Sequence, residues 1–240
     1  MIGCLCIHGF TGAPYELEPL ASHLKQTADW QVEMITLPGH GEMPVLKGVC
    51  FQEWIACAEV ELIRLLKTCD TVFLIGFSMG GMIAGYLAGK YPVSRLVLLS
   101  AAAQYISPGQ LIQDLKNVIK DSLQGKLEDN LLYKRYKQKL TSTPVSSAFQ
   151  FRKLVKMTKP ALKNLRIPVL IVQGECDAIV PVSSAYYLYE TIPSEEKELC
   201  LLPESKHHVC LEENSSILFQ TVEEFLKIIE RKSAKNNPGC

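Results

Sequence analysis

Residues 72–85 read VFLIGFSMGGMIAG, and this stretch decides the fold that the sequence predicts. Four apolar residues, typical of a buried strand, run into a glycine, and the stretch ends in a pattern typical of a helix. Between them stands one serine, Ser78, with Gly76 two residues before it and Gly80 two residues after it. Either the glycines only let a tight turn pack, or the turn serves to present the serine hydroxyl.

The composition of the 240-residue chain is that of an ordinary soluble globular protein, with 48% hydrophobic and 21% charged residues. Its length suits one large α/β domain. The 25 Lys and Arg residues balance the 25 Asp and Glu residues, so no overall basicity indicates nucleic-acid binding. The apolar runs are shorter than the roughly 18 residues of a membrane-spanning helix, and the first residues lack the charged leader of a signal peptide.

Nine cysteines are present, and their odd number argues against a closed disulfide framework. No Cys-x-x-Cys pair occurs, and no Cys/His cluster has the spacing of metal ligands, so no metal site is expected. Cys4 and Cys6 alternate as the core positions of a strand do. We therefore expect reduced, mostly buried thiols in a cytoplasmic protein.

Apolar runs and helical patterns alternate along the chain. Strands are predicted at about residues 3–7, 32–36, 72–75, 95–100, 169–173 and 199–202, and helices at about 16–25, 52–67, directly after Ser78, and 216–229. The last helix is expected to bury Ile217, Val222, Phe225 and Leu226. This alternation predicts an α/β fold, a mostly parallel, doubly wound sheet of about six strands flanked by helices.

Candidate reactive residues follow the predicted strands, where the carboxyl ends of a parallel sheet gather functional groups. A serine hydroxyl is a weak nucleophile that must be exposed, held still and deprotonated by a base. A tight strand-to-helix turn with small residues on both sides of Ser78 exposes and holds it, and the following helix points its positive end at the site. This pattern is the G-x-S-x-G nucleophile elbow.

The base and its orienting acid are expected in the order Ser, Asp, His. Asp177 follows a buried strand and is favoured as the acid over its rival Glu175, which is nearer the strand end. His207 and His208 share the loop after the last strand, and neighbouring side chains of an extended loop face opposite ways, so only one of them points at Ser78. The three other histidines are expected to have no part in catalysis: His8 and His40 brace their loops, and His23 is solvated.

Attack by a serine on a carbonyl creates an oxyanion, which needs preorganised N–H donors. The backbone N–H of Met79, directly after the serine, is one candidate. The other is the N–H of Phe10, in a glycine-rich loop after the first strand that lets the backbone approach closely. The Phe10 side chain is then expected to line the acyl pocket.

With these residues in place, the chain resembles the α/β-hydrolase superfamily over nearly its whole length. Within that superfamily it resembles short single-domain bacterial carboxylesterases and monoacylglycerol lipases. The stretches that carry the resemblance are HGFTG (8–12), LPGHG (37–41), GFSMGG (76–81), GECDAIVP (174–181) and ESKHHVCLEE (204–213). The pattern departs from the family at Lys206, where a glycine is usual.

The resemblance implies a catalytic triad of Ser78, Asp177 and His207, with the N–H groups of Phe10 and Met79 as the oxyanion hole. It implies a serine carboxylesterase that forms an acyl-enzyme and hydrolyses short- to medium-chain esters, and monoglycerides in some members, without a cofactor. It also implies a helical cap at residues 105–163 inserted into a core of residues 1–104 and 164–232, followed by a polar, flexible tail at 233–240.

Other activities stay open because the fold also hosts peptidases, acyltransferases and C–C bond hydrolases. Dehalogenases normally carry Asp at the elbow, so Ser78 disfavours them. A ligand-binding relative without turnover would be expected to have a broken triad or oxyanion hole, and all five positions are intact.

Charge is divided unevenly between the predicted cap and core. Residues 105–163 hold twelve Lys or Arg and four Asp or Glu, a net charge of +8, and the neutral chain leaves −8 for the rest. Apolar residues recur at helical spacing in the cap, at Leu111, Leu115, Val118 and Ile119. Either the lysines only solvate outer helix faces, or the cap makes transient contact with an anionic lipid surface.

Overall fold

The structure, a computed structural model, describes residues 1–105, 143–212 and 215–236, with side chains up to residue 227 in the last range. Its centre is a six-stranded sheet in the order β2-β1-β3-β4-β5-β6, with every neighbouring pair parallel. The strands are β1 (Ile2–Ile7), β2 (Trp30–Ile35), β3 (Thr71–Phe77), β4 (Arg95–Leu99), β5 (Val169–Gly174) and β6 (Lys197–Leu202). The predicted parallel α/β architecture is confirmed.

Helices cover both faces of this sheet. They are α1 (Glu18–Thr27), α2 (Phe51–Thr68), α3 (Met79–Ala88), α4 (Val145–Thr158), α5 (Val182–Thr191) and α6 (Ser216–Asn236), with short 3-10 helices at Pro14–Glu16 and Lys159–Asn164. Side chains alternate along each strand, so Leu5 and Ile7 pack with α2 to α5 while Cys4 and Cys6 pack with α1 and α6. The sheet is therefore buried between two helical layers.

Helix α5 has no counterpart among the predicted helices. Its sequence, VSSAYYLYET, is rich in residues with modest helix propensity, and it buries only Ser184, Ala185 and Leu188. A helix forms there because parallel strands need a crossover connection between them, here from β5 to β6.

The last helix corrects two expectations. Ile217 is 62% exposed, and Leu218 is buried in its place. Leu218 lies four residues before Val222 and so shares its face, whereas Ile217 is turned about 100° away from Leu218 by the helical period. Helix α6 also continues to Asn236, past its predicted end at about residue 229. Residues 237–240 lie outside the described residues, and the flexible tail at 233–240 stays a prediction.

The predicted cap is described only in part. Residues 106–142, with the apolar positions Leu111, Leu115, Val118 and Ile119, lie outside the described residues. In the described part, α4 buries Phe151, Leu154 and Val155 in the same cluster as the core helices. The division into core and cap stays a prediction.

The eight cysteines of the described residues are free thiols. Four of them are buried, three are partly buried and Cys176 is exposed, so half rather than most are buried. The described residues contain no group of three His, Cys, Asp or Glu side chains placed to hold a metal ion. No helix among the described residues is long and apolar enough to cross a bilayer.

Candidate active site

Ser78 occupies a strained turn between β3 and α3. Its backbone has φ 53° and ψ −114°, a conformation that residues with a Cβ rarely adopt. The turn is held from the neighbouring strand, since Ser78 N–H donates to the Leu99 carbonyl (2.9 Å) and Ala102 N–H donates to the Ser78 carbonyl (3.2 Å). The surrounding backbone therefore fixes the serine at the carboxyl end of β3.

Gly80 shows why the elbow needs glycine. A Cβ at this position would collide with the carbonyl oxygens of Ile7 and His8 at the end of β1. A Cβ at Gly76 would collide with the backbone of Gly80 itself. The first turn of α3 therefore packs directly on the backbone that leads into the loop of Phe10, which brings that loop to the elbow.

His207 stands between Ser78 and Asp177. Its Nε2 lies 3.1 Å from Ser78 Oγ, and its Nδ1 lies 2.7 Å from Asp177 Oδ2. Because the carboxylate can only accept, Nδ1 carries the proton, and Nε2 is left to accept a hydrogen bond from the serine hydroxyl. All three side chains are buried, with 7–8% of each residue exposed. The geometry is that of a nucleophile, a base and an orienting acid.

Asp177 is fixed by hydrogen bonds to both carboxylate oxygens. Oδ1 accepts the N–H groups of Ile179 (2.8 Å) and Val180 (2.9 Å), and Oδ2 accepts Gln173 Nε2 (2.9 Å) besides His207. Burial alone would raise the pKa of the Asp177 carboxyl, but His207 and the backbone donors outweigh burial and hold the pKa below its ordinary value. Asp177 is therefore ionised at neutral pH.

The alternatives that the sequence left open are separated by position. Glu175 is exposed, whereas Asp177 contacts His207. His208 Nε2 lies 3.5 Å from Glu16 Oε1, and His207 faces the serine. Lys206 is exposed, so a side chain at this position, where the family usually has glycine, is accommodated in solvent.

The other histidines have structural partners. Leu37 N–H donates to His8 Nε2 (3.0 Å), so the other ring nitrogen of His8 donates to the Gly9 carbonyl (2.8 Å), and His40 Nδ1 lies 3.1 Å from the Pro38 carbonyl. The predicted loop-bracing role of both is confirmed. His23 corrects the prediction of a solvated side chain, because its Nε2 contacts Glu223 on α6.

The loop after β1 carries Phe10, the predicted oxyanion donor. It folds as a tight turn in which Gly12 N–H donates to the Gly9 carbonyl (3.2 Å) and Thr11 has a φ of 59°. Within the described residues the Phe10 N–H has no hydrogen-bond acceptor. Met79 begins α3, where the first N–H groups of a helix lack intrahelical acceptors. Their role as an oxyanion hole stays a prediction.

Aromatic side chains surround Phe10. Its ring stacks on Phe151 of α4 at 5.3 Å between centroids and lies 5.9 Å from the Trp54 ring. Tyr105 contacts Phe151 in turn, at 5.0 Å. These contacts place the Phe10 ring in an aromatic cluster with Trp54 and Phe151, and Tyr105 joins the cluster through Phe151.

Sequence reasoning missed two buried polar residues. Gln173, with 1% exposed, is the second-last residue of an otherwise apolar strand, and its Nε2 donates to the Asp177 carboxylate and to the carbonyls of Gly174 and Val180. That lone polar residue at the end of VLIVQ is the signal that could have revealed it. Glu16, with 4% exposed, accepts the Gly9 N–H at Oε2 (2.9 Å), and no spacing in the sequence marks this contact.

Known proteins are similar to this chain in sequence and in fold. A family model described as serine aminopeptidase, S33 (Hydrolase_4) matches residues 3–214. The thermostable monoacylglycerol lipase of Bacillus sp. (strain H-257) is 30% identical over 232 residues, which cover 93% of this chain and 90% of that protein. The carboxylesterase of Bacillus subtilis (strain 168) is 21% identical over 231 residues, with 94% and 92% covered.

A solved structure described with the metagenome-derived lipolytic enzymes LipS and LipT superposes with a TM-score of 0.76 at 23% identity. The match covers 94% of this chain and 93% of that chain, and it shows a shared α/β-hydrolase fold. The family model spans most of the chain, and the Bacillus lipase aligns over nearly its full length. The chain therefore belongs to the Hydrolase_4 family of serine α/β-hydrolases, among relatives named as lipases and esterases.

Proposed function

We propose that the protein is a serine carboxylesterase that hydrolyses short- to medium-chain carboxylic esters, monoacylglycerols included, through an acyl-enzyme on Ser78. The observation that carries the proposal is the continuous hydrogen-bonded line from Ser78 Oγ through His207 to Asp177. This line supplies the three roles that acyl transfer needs, at distances that permit proton transfer.

The proposed reaction uses the same base twice. As Ser78 Oγ attacks the ester carbonyl carbon, His207 Nε2 takes the hydroxyl proton, and the ionised Asp177 stabilises the imidazolium that forms. The carbonyl oxygen becomes an oxyanion beside the N–H groups of Phe10 and Met79. His207 then gives its proton to the leaving alkoxide, and a water molecule activated by His207 hydrolyses the acyl-enzyme and regenerates Ser78.

The choice of esters rests on the relatives and on the side chains around Phe10. An acyl chain bound beside the aromatic cluster of Phe10, Phe151 and Tyr105 would meet apolar rings rather than charged or strongly polar groups. The Bacillus relatives are named as a monoacylglycerol lipase and a carboxylesterase. No cofactor is needed for the proposed steps, because each proton and electron pair moves between Ser78, His207, substrate and water.

Peptide hydrolysis is the second candidate, because the matching family model is described as a serine aminopeptidase. The two candidates differ in leaving group, since an amine must be protonated as it leaves while an alkoxide is expelled more easily. An acyl series of p-nitrophenyl esters and monoacylglycerols, compared by kcat/KM with aminoacyl p-nitroanilides, separates them. Esters are expected to be the better substrates, and a preference for anilides would overturn the esterase proposal.

A serine-directed phosphonate tests the nucleophile directly. One mass increment is expected, on the peptide that contains Ser78, because Ser78 is the serine whose Oγ lies within hydrogen-bond distance of His207 Nε2. Pre-treated protein should be inactive toward every ester of the series. Labelling on another peptide, or a labelled protein that keeps its full rate, would contradict the proposed mechanism. A ligand-binding relative without turnover would release no p-nitrophenol at all.

Lipid contact is a finer part of the proposal, and the outer face of α4 supports it. Helix α4 contains three basic residues, Arg152, Lys153 and Lys156, all exposed, and no Asp or Glu. Large apolar side chains share the exposed surface of this helix, with Val145 68%, Phe149 56% and Met157 37% exposed. The opposite side of α4 carries Phe151, which stacks on Phe10 at the site. A helix with this outer face would dock on an anionic lipid surface beside the active site.

Vesicles of two compositions test the docking surface. Monoacylglycerol in anionic vesicles should be hydrolysed faster than in neutral vesicles, because each lysine near the surface contributes on the order of 1 kcal/mol at low salt. The advantage should shrink as salt rises. A water-soluble short-chain ester serves as the control and should show no dependence on the vesicles. Equal rates on both vesicle types across the salt series would leave these lysines as solvated charge.

A further inference from the structure

Glu16 is a buried carboxylate that the proposed reaction steps do not use. It ends the short 3-10 helix after the Phe10 loop, and 4% of the residue is exposed. Its side chain turns back onto that loop, where Oε2 accepts the Gly9 N–H at 2.9 Å. A Cβ at Gly12 would collide with the same carboxylate, so Glu16 lies directly against both ends of the turn.

This turn is one that needs support. Thr11, a β-branched residue, is held at a φ of 59°, a conformation that is strained for any residue other than glycine. The Gly9 N–H bonded by Glu16 is one residue before the N–H of Phe10. An oxyanion donor works only when it is fixed in the position that the developing charge will occupy. The hydrogen bond to Glu16 fixes the backbone next to that donor.

The other oxygen of Glu16 faces the histidine loop. Oε1 lies 3.5 Å from His208 Nε2, and the His208 ring packs edge-on against His207 at 5.3 Å between centroids. Phe77 contacts both histidine rings, at 4.9 Å and 5.3 Å. One carboxylate therefore joins the loop of the predicted oxyanion donor to the loop of the base.

Charge supports the same arrangement. Burial alone would raise the pKa of the Glu16 carboxyl, but His208, His8 and the Gly9 N–H outweigh burial and hold the pKa below its ordinary value. The thiol of Cys210 is another titratable neighbour, and burial raises its pKa, so it stays neutral. Glu16 is therefore an ionised carboxylate in the interior, where its removal would leave the Gly9 N–H without this acceptor.

We propose that Glu16 is a positioning residue for the reaction, and that its carboxylate fixes the Phe10 loop against the loop of His207 and His208. The proposal rests on the proposed esterase function. Loss of the carboxylate is expected to misplace the Phe10 N–H, which is needed in the transition state more than in the bound substrate. The effect should therefore fall on kcat and leave KM nearly unchanged.

Two variants of Glu16 and one matched control test it. Glu16→Ala should lower kcat by about 10- to 100-fold. This is no more than the roughly 100- to 1,000-fold loss that follows removal of a whole oxyanion donor. Glu16→Gln keeps an acceptor for Gly9 but loses the charge, so a smaller loss of about threefold to tenfold is expected. Glu18 is an exposed acid two residues further on, and Glu18→Ala should keep the wild-type kcat.

A boronic acid that mimics the tetrahedral intermediate separates positioning from general damage. Its affinity should fall by the same factor as kcat in each Glu16 variant, while the melting temperature stays within the range of active variants. Combined with His208→Ala, the loss in the double variant should be smaller than the product of the single losses, because both act through one contact.

The outcomes are decisive in either direction. A fall in kcat without weaker binding of the boronic acid overturns the proposal, as does a wild-type kcat in Glu16→Gln together with a folded, fully active Glu16→Ala. If Glu16→Ala does not fold, Glu16→Gln decides alone: a lower kcat supports the proposal and a wild-type kcat overturns it. The wild type and Ser78→Ala are measured beside them: a wild type that hydrolyses no ester would refute the esterase function, activity in Ser78→Ala would refute the acyl-enzyme on Ser78, and neither result concerns the role of Glu16.

Discussion

The backbone that follows the carboxyl ends of the strands differs in conformation from the backbone that leads into their amino ends. Among the described residues, the four non-glycine residues with positive φ are Thr11, Ser78, Ser100 and Glu204. Each lies in the segment that follows the carboxyl end of a strand, and the described connections that enter the amino ends of the strands contain none. Strained backbone persists only where the surroundings over-determine it. The comparison indicates that the segments after the carboxyl ends of the strands fix their side chains in position through strained backbone, at a cost in stability.

Substitutions at the carboxyl ends of the strands are expected to have their largest effect on turnover. Ser78→Ala should lower kcat by about 10⁴-fold or more while the fold survives, because it removes the nucleophile and leaves the turn intact. Steady-state kinetics on p-nitrophenyl esters, with circular dichroism for the fold, measure this. Ser78→Gly should be equally inactive, so activity in either variant would break the assignment.

Asp177→Asn is expected to lower kcat by about 10³- to 10⁴-fold, because an amide presents the wrong hydrogen-bond pattern to His207 and favours the wrong tautomer. Rate measurements at several pH values test it. Glu175→Gln, a change of the same type in the exposed neighbouring acid, should leave kcat nearly unchanged. Similar losses in both variants would contradict the assignment of the acid.

The adjacent histidines provide a matched pair. His207→Ala should abolish turnover, because its Nε2 is the acceptor 3.1 Å from Ser78 Oγ. His208→Ala should only weaken turnover, since its ring contacts Glu16 and packs on His207. The reverse pattern in the two variants would move the base to His208.

The strained backbone after the carboxyl ends of the strands also predicts a change in stability. Ser78→Gly should be more stable than Ser78→Ala by about 1 kcal/mol, because glycine relieves a strain of about 1–3 kcal/mol at positive φ and loses part of that gain to its greater entropy when unfolded. Denaturant unfolding of the two inactive variants measures the difference. A less stable glycine variant would show that the elbow carries no net strain.

Acid should destabilise the wild-type protein through Asp177. Its pKa is lower in the folded than in the unfolded chain, so its contribution to the free energy of unfolding is present above the unfolded pKa and is lost as pH falls through the folded pKa. Asp177→Asn should therefore lose less stability than the wild type over this acidic range. Unfolding curves at a series of pH values test this, and parallel losses in the two proteins would contradict it.

The smallest effect on turnover is expected away from the ends of the strands, on the outer face of α4. Lys153→Glu should reduce hydrolysis in anionic vesicles by about fivefold to tenfold at low salt and leave the rate on a water-soluble ester unchanged. Lys67→Glu on α2 makes the same charge change on another exposed helix surface and should have little effect. Equal losses in the two variants would indicate overall charge rather than a docking face.

The sequence by itself determined the sheet and the order of the reactive residues. Apolar runs of strand length and the glycines around Ser78 are local signals, because strand burial and a tight turn demand particular residue types at fixed spacings. Ser78 and Asp177 each follow a strand that those signals locate, so the carboxyl edge where they meet could be predicted before the structure. In the folded chain His207 lies within hydrogen-bond distance of both residues.

Only the tertiary structure decided what depends on contacts between distant segments. Which side chain of α6 is buried at its first turn and where α5 forms are set by packing, and no single segment encodes them. Glu16 and Gln173 are the strongest examples, because a buried polar side chain has meaning only through the groups that it pairs with. Those partners are brought together by the sheet, and so their roles became visible only in the folded chain.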